Sequence, residues 1–257
     1  MDFNKESQIL CSWSAQIENR LLQLLWHLIH VTIDLCHFPL RIANVLESYL
    51  ISWGLLGRYK SFHVTKLRYL AIVVDSEEAY RTSKIIKLLQ WLEAIGIKHV
   101  CLYDYEGVLK KLKDFILEKL DGTILFWDAH ENDVLSDSDQ QHMTLEFVSF
   151  SDGKEAVVKA ANVLFMKYST SGATDQNQKD KIFTESQMSN TLKTVGSGGP
   201  EPDLLLVYGP ARCHLGFPAW RIPYTEIVHM GPLKSMNYGS LVKAIYKFTM
   251  VQRNYGR

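Results

Sequence analysis

The sequence has no excess of either charge. Lys and Arg total 28, Asp and Glu total 28, and the formal net charge over 257 residues is zero. Without a basic excess, a nucleic-acid backbone is a poor expected partner. Cysteine is scarce: Cys11, Cys36, Cys101 and Cys213 are widely spaced, with no CxxC and no short Cys–His box. That argues against a structural zinc site or a disulfide framework, and favours a reducing compartment. The common catalytic signatures are missing too. The chain carries no Walker loop, GxGxxG, nucleophile elbow or HExxH. It does not lack apolar material, at 47% hydrophobic, which excludes wholesale disorder.

Charge is thinnest near the amino terminus. Residues 21–57 hold only Asp34, Arg41 and Glu47 as formal charges. A polar stretch precedes this region and no small-residue cleavage site follows a short apolar run, so a secretory signal is not expected. The polar residues Gln23, His27, His30, Asp34, His37, Arg41, Asn44 and Ser48 recur in alternating steps of four and three. On a helix they form one narrow polar seam along an apolar cylinder. A surface helix of a soluble domain shows the reverse, so the pattern predicts a membrane-associated helical segment over 1–60. Pro39 is expected to kink it. Arg58 and Lys60 after the apolar tail predict a cytosolic end. Two other readings remain at this point: His27, His30, Asp34 and His37 as metal ligands on one helix face, and a soluble helical hairpin.

From residue 69 the period changes. Apolar runs at Tyr69–Val74, Ile97–Tyr103, Thr123–Trp127, Thr144–Phe150, Leu204–Tyr208 and Thr225–Met230 predict strands. Between them Glu77–Ile95, Gly107–Leu120, Lys154–Tyr168 and Tyr238–Gln252 predict helices, the first ended by Gly96. Such alternation implies an α/β domain over 61–257 with a mostly parallel sheet flanked by helices. Residues 169–201 are rich in Ser, Thr, Asn, Gln and Gly, and are expected to form a flexible insertion with one short helix near 183–193. Ligands favour the carboxyl ends of parallel strands, which directs attention to Asp75, Asp104 and the loop after Tyr208. In that loop Gly209-Pro210-Ala211-Arg212 reads as an anion-meeting turn or a plain strand end. Ser197-Gly198-Gly199 is a weak phosphate-cradle candidate, since no Lys follows it.

Pro202-Asp203-Leu204, Gly209, Leu215-Gly216-Phe217, Trp220 and Tyr224-Thr225-Glu226 together resemble the cis-prenyltransferases, the undecaprenyl and dehydrodolichyl diphosphate synthases. Val73-Val74-Asp75 resembles their strand ending in the catalytic Asp. Trp91–Ile97 and Tyr103-Asp104-Tyr105 extend the match, which covers roughly 69–257. The resemblance implies a cis-prenyltransferase-like fold. It matches Asp75 and Glu226 to the family's magnesium-linked carboxylates, and Gly209 and Arg212 to its second phosphate loop.

The departures are chemical. Where the enzymes follow their Asp with Gly-Asn and then Arg, this chain has Ser76-Glu77-Glu78. Val207 stands for an Arg of the second motif and Pro210 for its Glu. Each lost charged hydrogen bond to a diphosphate is worth about 1.5–3 kcal/mol. Asp75, Gly209, Arg212 and Glu226 therefore read as vestigial family positions, with no catalytic residue and no metal site of the chain's own.

This pattern is similar to the noncatalytic Nogo-B receptor-like subunits of dehydrodolichyl diphosphate synthase. That resemblance implies a heterodimer with a catalytic cis-prenyltransferase subunit at the endoplasmic reticulum membrane, the α/β domain being cytosolic. It implies magnesium, bound mainly by the partner, and isoprenoid diphosphate substrates handled by the complex. It also implies that the C-terminal tail contributes to the partner's active site. Here the candidates are Arg253, Asn254, Gly256 and Arg257, an approximate form of the family's Arg-x-Gly motif. A self-sufficient homodimeric cis-prenyltransferase and a noncatalytic receptor or scaffold, including one for rubber-type polyisoprene, are the rival readings.

Overall fold

A computed structural model describes residues 3–59, 64–120, 123–125, 143–171 and 184–250. The chain divides into two units, Met1–Leu55 and Leu56–Arg257.

The first unit is one helix, α1 (Phe3–Ser52), which runs without interruption through Pro39. Its portion Asn19–Ser52 is 34 residues long and includes an 18-residue stretch with a mean hydropathy of 1.3. At 1.5 Å per residue that is about 50 Å, more than the hydrocarbon thickness of a bilayer. Apolar side chains are exposed on successive positions, such as Leu24, Leu25 and Trp26. A single apolar stripe would leave gaps in such a run, so the greasy surface wraps most of the cylinder. His30 Nδ1 and Thr32 Oγ1 each bond the carbonyl four residues back, at 2.9 and 2.7 Å, satisfying polar atoms within the helix. Among the described residues, no group of three or more His, Cys, Asp or Glu is gathered as a metal-binding cluster.

The second unit is an α/β domain. In chain order its elements are β1 (Leu70–Val74), α2 (Ser76–Ala79), α3 (Thr82–Ile95) and β2 (His99–Asp104). Then come α4 (Val108–Lys111), α5 (Lys113–Glu118), β3 (Ile124–Leu125), β4 (Thr144–Ser149), α6 (Lys154–Ser171) and α7 (Glu185–Thr194). β5 (Leu204–Tyr208), β6 (Glu226–Gly231) and α8 (Tyr238–Met250) complete it. The strands form one six-stranded sheet in the order β3-β4-β2-β1-β5-β6. All five pairings are parallel. Burial on both faces explains why β1 and β5 are uninterrupted apolar runs.

Alternate residues of the central strands feed two cores. Leu70, Ile72, Val74, Leu102, Leu204 and Leu206 pack with Ile85, Leu88, Leu89 and Leu92 of α3 and Leu241 and Ile245 of α8. Tyr69, Ala71, Val73, Cys101, Tyr103, Leu205 and Val207 face the other way, with Phe217. Gly96 ends α3 as expected, at φ +92°, its N–H reaching the carbonyls of Leu92 and Glu93.

Several expectations need correction. The helix predicted over Glu77–Ile95 is two helices, with a turn at Tyr80–Arg81. That over Gly107–Leu120 is likewise split at Leu112. Cys101 is buried in the core, whereas Cys36 and Cys213 are exposed. Within 169–201, the short helix expected near 183–193 is present as α7. Ser169–Ser171 continue α6, and α7 carries Thr184 as an N-cap with a capping box. Leu192 is buried against Ala156 and Ala160 of α6, because α7 has an apolar side despite its polar composition. Residues 172–183 lie outside the described residues.

Candidate functional site

Parallel pairing brings every strand's carboxyl end to one edge of the sheet, where ligands of open α/β sheets collect. Asp75 follows β1 there, its N–H bonded to the Tyr208 carbonyl at 2.9 Å. Gly209 is buried next to it: a Cβ at Gly209 would stand 3.3 Å from the Asp75 Cβ and 3.3 Å from Leu215 Cδ1. Two of the family-matched positions, Asp75 and Gly209, are therefore neighbours. Arg212 lies exposed on the loop that follows.

Glu226 is not with them. It opens β6 and pairs in register with Leu204, the first residue of β5, while Gly231 pairs with Tyr208. Its N–H bonds the Asp203 carbonyl at 3.2 Å. Asp75 and Glu226 thus occupy opposite ends of the same parallel sheet, separated by the length of a strand, about 16 Å for five residues. The two carboxylates matched to magnesium cannot share one ion within this chain. The described residues of this chain do not fit a magnesium site.

The acidic segment after Asp75 has structural work instead. Ser76 Oγ accepts the Glu106 N–H at 3.1 Å. The Glu78 carboxylate accepts the Leu233 N–H, tying α2 to the turn after β6. Asp104, at the end of β2, is fully buried and accepts the N–H groups of Val108 and Leu109 at 2.7 and 2.9 Å. It caps α4 rather than facing a ligand.

The loop after Tyr208 is tied down over the same edge. His229 Nε2 bonds the Gly209 carbonyl at 2.9 Å. Leu215 takes a left-handed conformation, φ +49°, which costs a non-glycine residue about 1–2 kcal/mol. Its carbonyl accepts the Tyr103 hydroxyl at 3.2 Å. Phe217 is buried edge-on against Tyr103, ring centroids 5.4 Å apart. Val207, matched to an Arg of the family motif, is fully buried inside β5. No phosphate-facing guanidinium fits at that position without opening the core.

One charged group in the fold was not anticipated. Glu146 of β4 and Arg221, 5% and 3% exposed at their side chains, form a two-pronged ion pair with distances of 2.7 and 3.1 Å. The Tyr69 hydroxyl donates to the Glu146 carboxylate. Arg221 also donates to the Pro200 carbonyl, from Nε at 3.1 Å and Nη2 at 2.9 Å. Burial opposes the charge on Arg221, but its acidic neighbours, Glu146 among them, raise its pKa overall. Burial pushes the Tyr69 phenol and the Cys101 thiol up, with Glu146 adding to both. Both therefore stay protonated, and the network holds a single ion pair. A Cβ at Gly199 would run into Glu146 and sit 2.6 Å from Arg221 Nη2. The sequence signal was a lone Glu inside the apolar run of β4. Its partner, 75 residues away, carried none.

The tail residues Arg253, Asn254, Gly256 and Arg257 lie outside the described residues.

No protein-family model matches the chain. It is 28% identical over 198 residues to the human protein named dehydrodolichyl diphosphate synthase complex subunit NUS1. That alignment covers 72% of this chain and 65% of the human one. The subunit of the same name from Schizosaccharomyces pombe is 22% identical over 235 residues, covering 84% of this chain and 86% of its own length. The chain thus spans just under two thirds of the human relative and 64% of the mouse one. Among solved structures, lavandulyl diphosphate synthase from Lavandula x intermedia, in complex with dimethylallyl diphosphate, superposes with a TM-score of 0.52 at 16% identity. It covers 76% of this chain and 99% of that structure, and shows the fold alone. The resemblance to the synthase-complex subunits and the cis-prenyltransferase-like fold, both drawn from the sequence, are borne out.

The buried pair makes a stability prediction. Arg221→Met should cost about 3–5 kcal/mol, because Glu146 is left charged and unpaired in the core. Adding Glu146→Met should recover most of that loss. Urea denaturation of the two variants would check it, and equal losses in both would contradict the assignment.

Proposed function

We propose that this chain is an accessory subunit that activates a catalytic cis-prenyltransferase and anchors it to a membrane. The observation that carries the reading is the carboxyl edge of the sheet. Asp75 stands there beside structural carboxylates, Glu226 is at the far end, and Val207 is sealed in the core. An edge built this way has lost the means to hold a diphosphate, yet the fold around it is kept. Relatives named as subunits of the dehydrodolichyl diphosphate synthase complex support a role in assembly with an enzyme.

On this reading the complex condenses isopentenyl diphosphate onto farnesyl diphosphate. Its product is a polyprenyl diphosphate for dolichol synthesis and protein N-glycosylation. The catalytic partner supplies the principal ligands of Mg2+. Partner contact is through the last strands and helices. β6 is an edge strand of the sheet, with Ile227 and the preceding Tyr224 exposed, and edge backbone groups and apolar side chains favour association. The C-terminal Arg253, Asn254, Gly256 and Arg257 reach the partner's active site. Arginine there supplies phosphate-binding charge, and a glycine N–H allows close approach. The helix α1 holds the complex at the endoplasmic reticulum membrane, residues 1–60 forming the anchor and 61–257 the cytosolic domain. A membrane-soluble product makes that location useful.

The reading is tested by incorporation of labelled isopentenyl diphosphate into polyprenol. This chain, a catalytic cis-prenyltransferase, and their mixture are compared. Activity only or mainly in the mixture is expected, and equal activity of this chain alone would overturn the reading. In the active mixture, Asp75→Ala should change turnover little; a loss above about 100-fold, roughly 2.7 kcal/mol, would restore a catalytic site to this chain.

Deleting Arg253–Arg257 should lower turnover while the two chains still co-purify. Unchanged turnover would remove the tail from the mechanism.

A chain lacking residues 1–60 should move from the membrane pellet to the soluble fraction. Retention in the pellet would mean that another segment is the anchor.

A further inference from the structure

The amino-terminal edge of the sheet, opposite the vestigial site, holds a cleft of about 910 Å³. That is the size range of small-molecule sites. Its walls come from the start of β1, β2 and β5, from α7, and from the loop Gly198-Gly199-Pro200. We propose that this cleft binds a phosphate ester, with the phosphate at the Lys193 and Arg68 rim and the ester's organic body against Tyr69 and His99.

Cations and bare backbone line the same cleft. Arg68 and Lys193 both line the cleft, and neither forms an ion pair among the described residues. Two separated cations suit a dianion better than a single carboxylate. Arg221 is not counted, since Glu146 and the Pro200 carbonyl occupy its guanidinium. Gly198 and Gly199 are both compelled to be glycine. A Cβ at Gly198 would lie 2.6 Å from Lys193 Cα and 2.7 Å from its N, and one at Gly199 would strike the buried ion pair. Packing thus keeps two side-chain-free peptides on the wall beside Lys193, where backbone can approach an anion closely. The sequence puts no Lys after the glycine pair; the fold supplies one from the preceding helix.

A donor also lacks its acceptor. Trp220 borders the cleft, and its indole N–H is shielded from solvent with no hydrogen-bond partner among the described residues. Leaving such a donor unsatisfied costs about 1–3 kcal/mol, which an acceptor in the cleft would relieve once the indole turns to meet it. The Tyr69 and His99 rings, 6.5 Å apart at 26°, both line the cleft and give it an aromatic side for the body of the ester. Two carboxylates oppose the anion. Asp203 accepts the N–H groups of Arg68 and Tyr69 at 2.8 and 3.1 Å, which offset much of its charge. Glu201, exposed on the rim, keeps its repulsion. This assignment rests on none of the partner reading above.

The experiment is calorimetric titration of the full chain in detergent, in phosphate-free buffer, with inorganic phosphate and with phenyl phosphate. Both should bind saturably, and phenyl phosphate should bind more tightly because it also meets the aromatic wall. Lys193→Gln should weaken phenyl phosphate by about tenfold, the scale of one charged hydrogen bond. Trp220→Phe should weaken it too, while Glu201→Gln should strengthen it. Vesicles containing phosphatidic acid then identify the source: competition with phenyl phosphate marks a lipid headgroup, and no competition marks a soluble ester. Absence of saturable binding by both probes, or equal affinity across the three variants, would overturn the proposal.

Discussion

Five parallel strand pairings decide which residues of this chain can meet. In a parallel sheet all carboxyl ends share one edge and all amino ends the other. Asp75, Asp104 and Gly209 therefore gather at one edge, while Tyr69, His99, Asp203 and Glu226 gather at the other. The register leaves no freedom here, because a slip of one residue would turn every inward side chain of β1 or β5 to the opposite face. With both faces packed, that would disrupt two cores at once.

The two edges have diverged in use. At the carboxyl edge, polar groups are spent on holding the protein together. Ser76, Glu78, Asp104, Tyr103 and His229 each bond a backbone group of a neighbouring element. Leu215 accepts a left-handed backbone to keep the loop in place. A site that must receive a diphosphate needs donors left open towards the ligand. This edge has closed them against itself.

At the amino edge the Arg221–Glu146 pair organises the surroundings. Its charges are desolvated, so its stability depends on complete satisfaction by Tyr69 and Pro200. That requirement holds the 198–202 loop against the sheet and forces Gly199. The pair also separates two cavities, the large cleft and a smaller one of about 240 Å³ lined by Lys110, Asp152 and Ser197. A rigid, charge-neutral wall of this kind leaves the outer cations, Arg68 and Lys193, to set the character of the cleft.

By itself the sequence determined the local periods and the chemistry of the departures. Alternating apolar runs and helical spacings defined the α/β domain, and β1, β5 and α3 were legible because burial on both faces and a Gly96 stop write themselves into local composition. The thin polar seam marked α1 because a helical period shows in the spacing of its polar residues even where no face is buried. Glu77 and Glu78 in place of cations were legible as letters alone. Only the tertiary structure decided where those letters stand. Glu226 looked like a companion of Asp75 because both match one family's motif, yet parallel register sends them to opposite edges. The composition of 169–201 is polar, yet α7 within it buries Leu192, and Gly199 packs against an ion pair whose members are 75 residues apart. Period is a property of neighbours along the chain and survives in the sequence; the meeting of distant charges depends on register and packing, which no local pattern encodes.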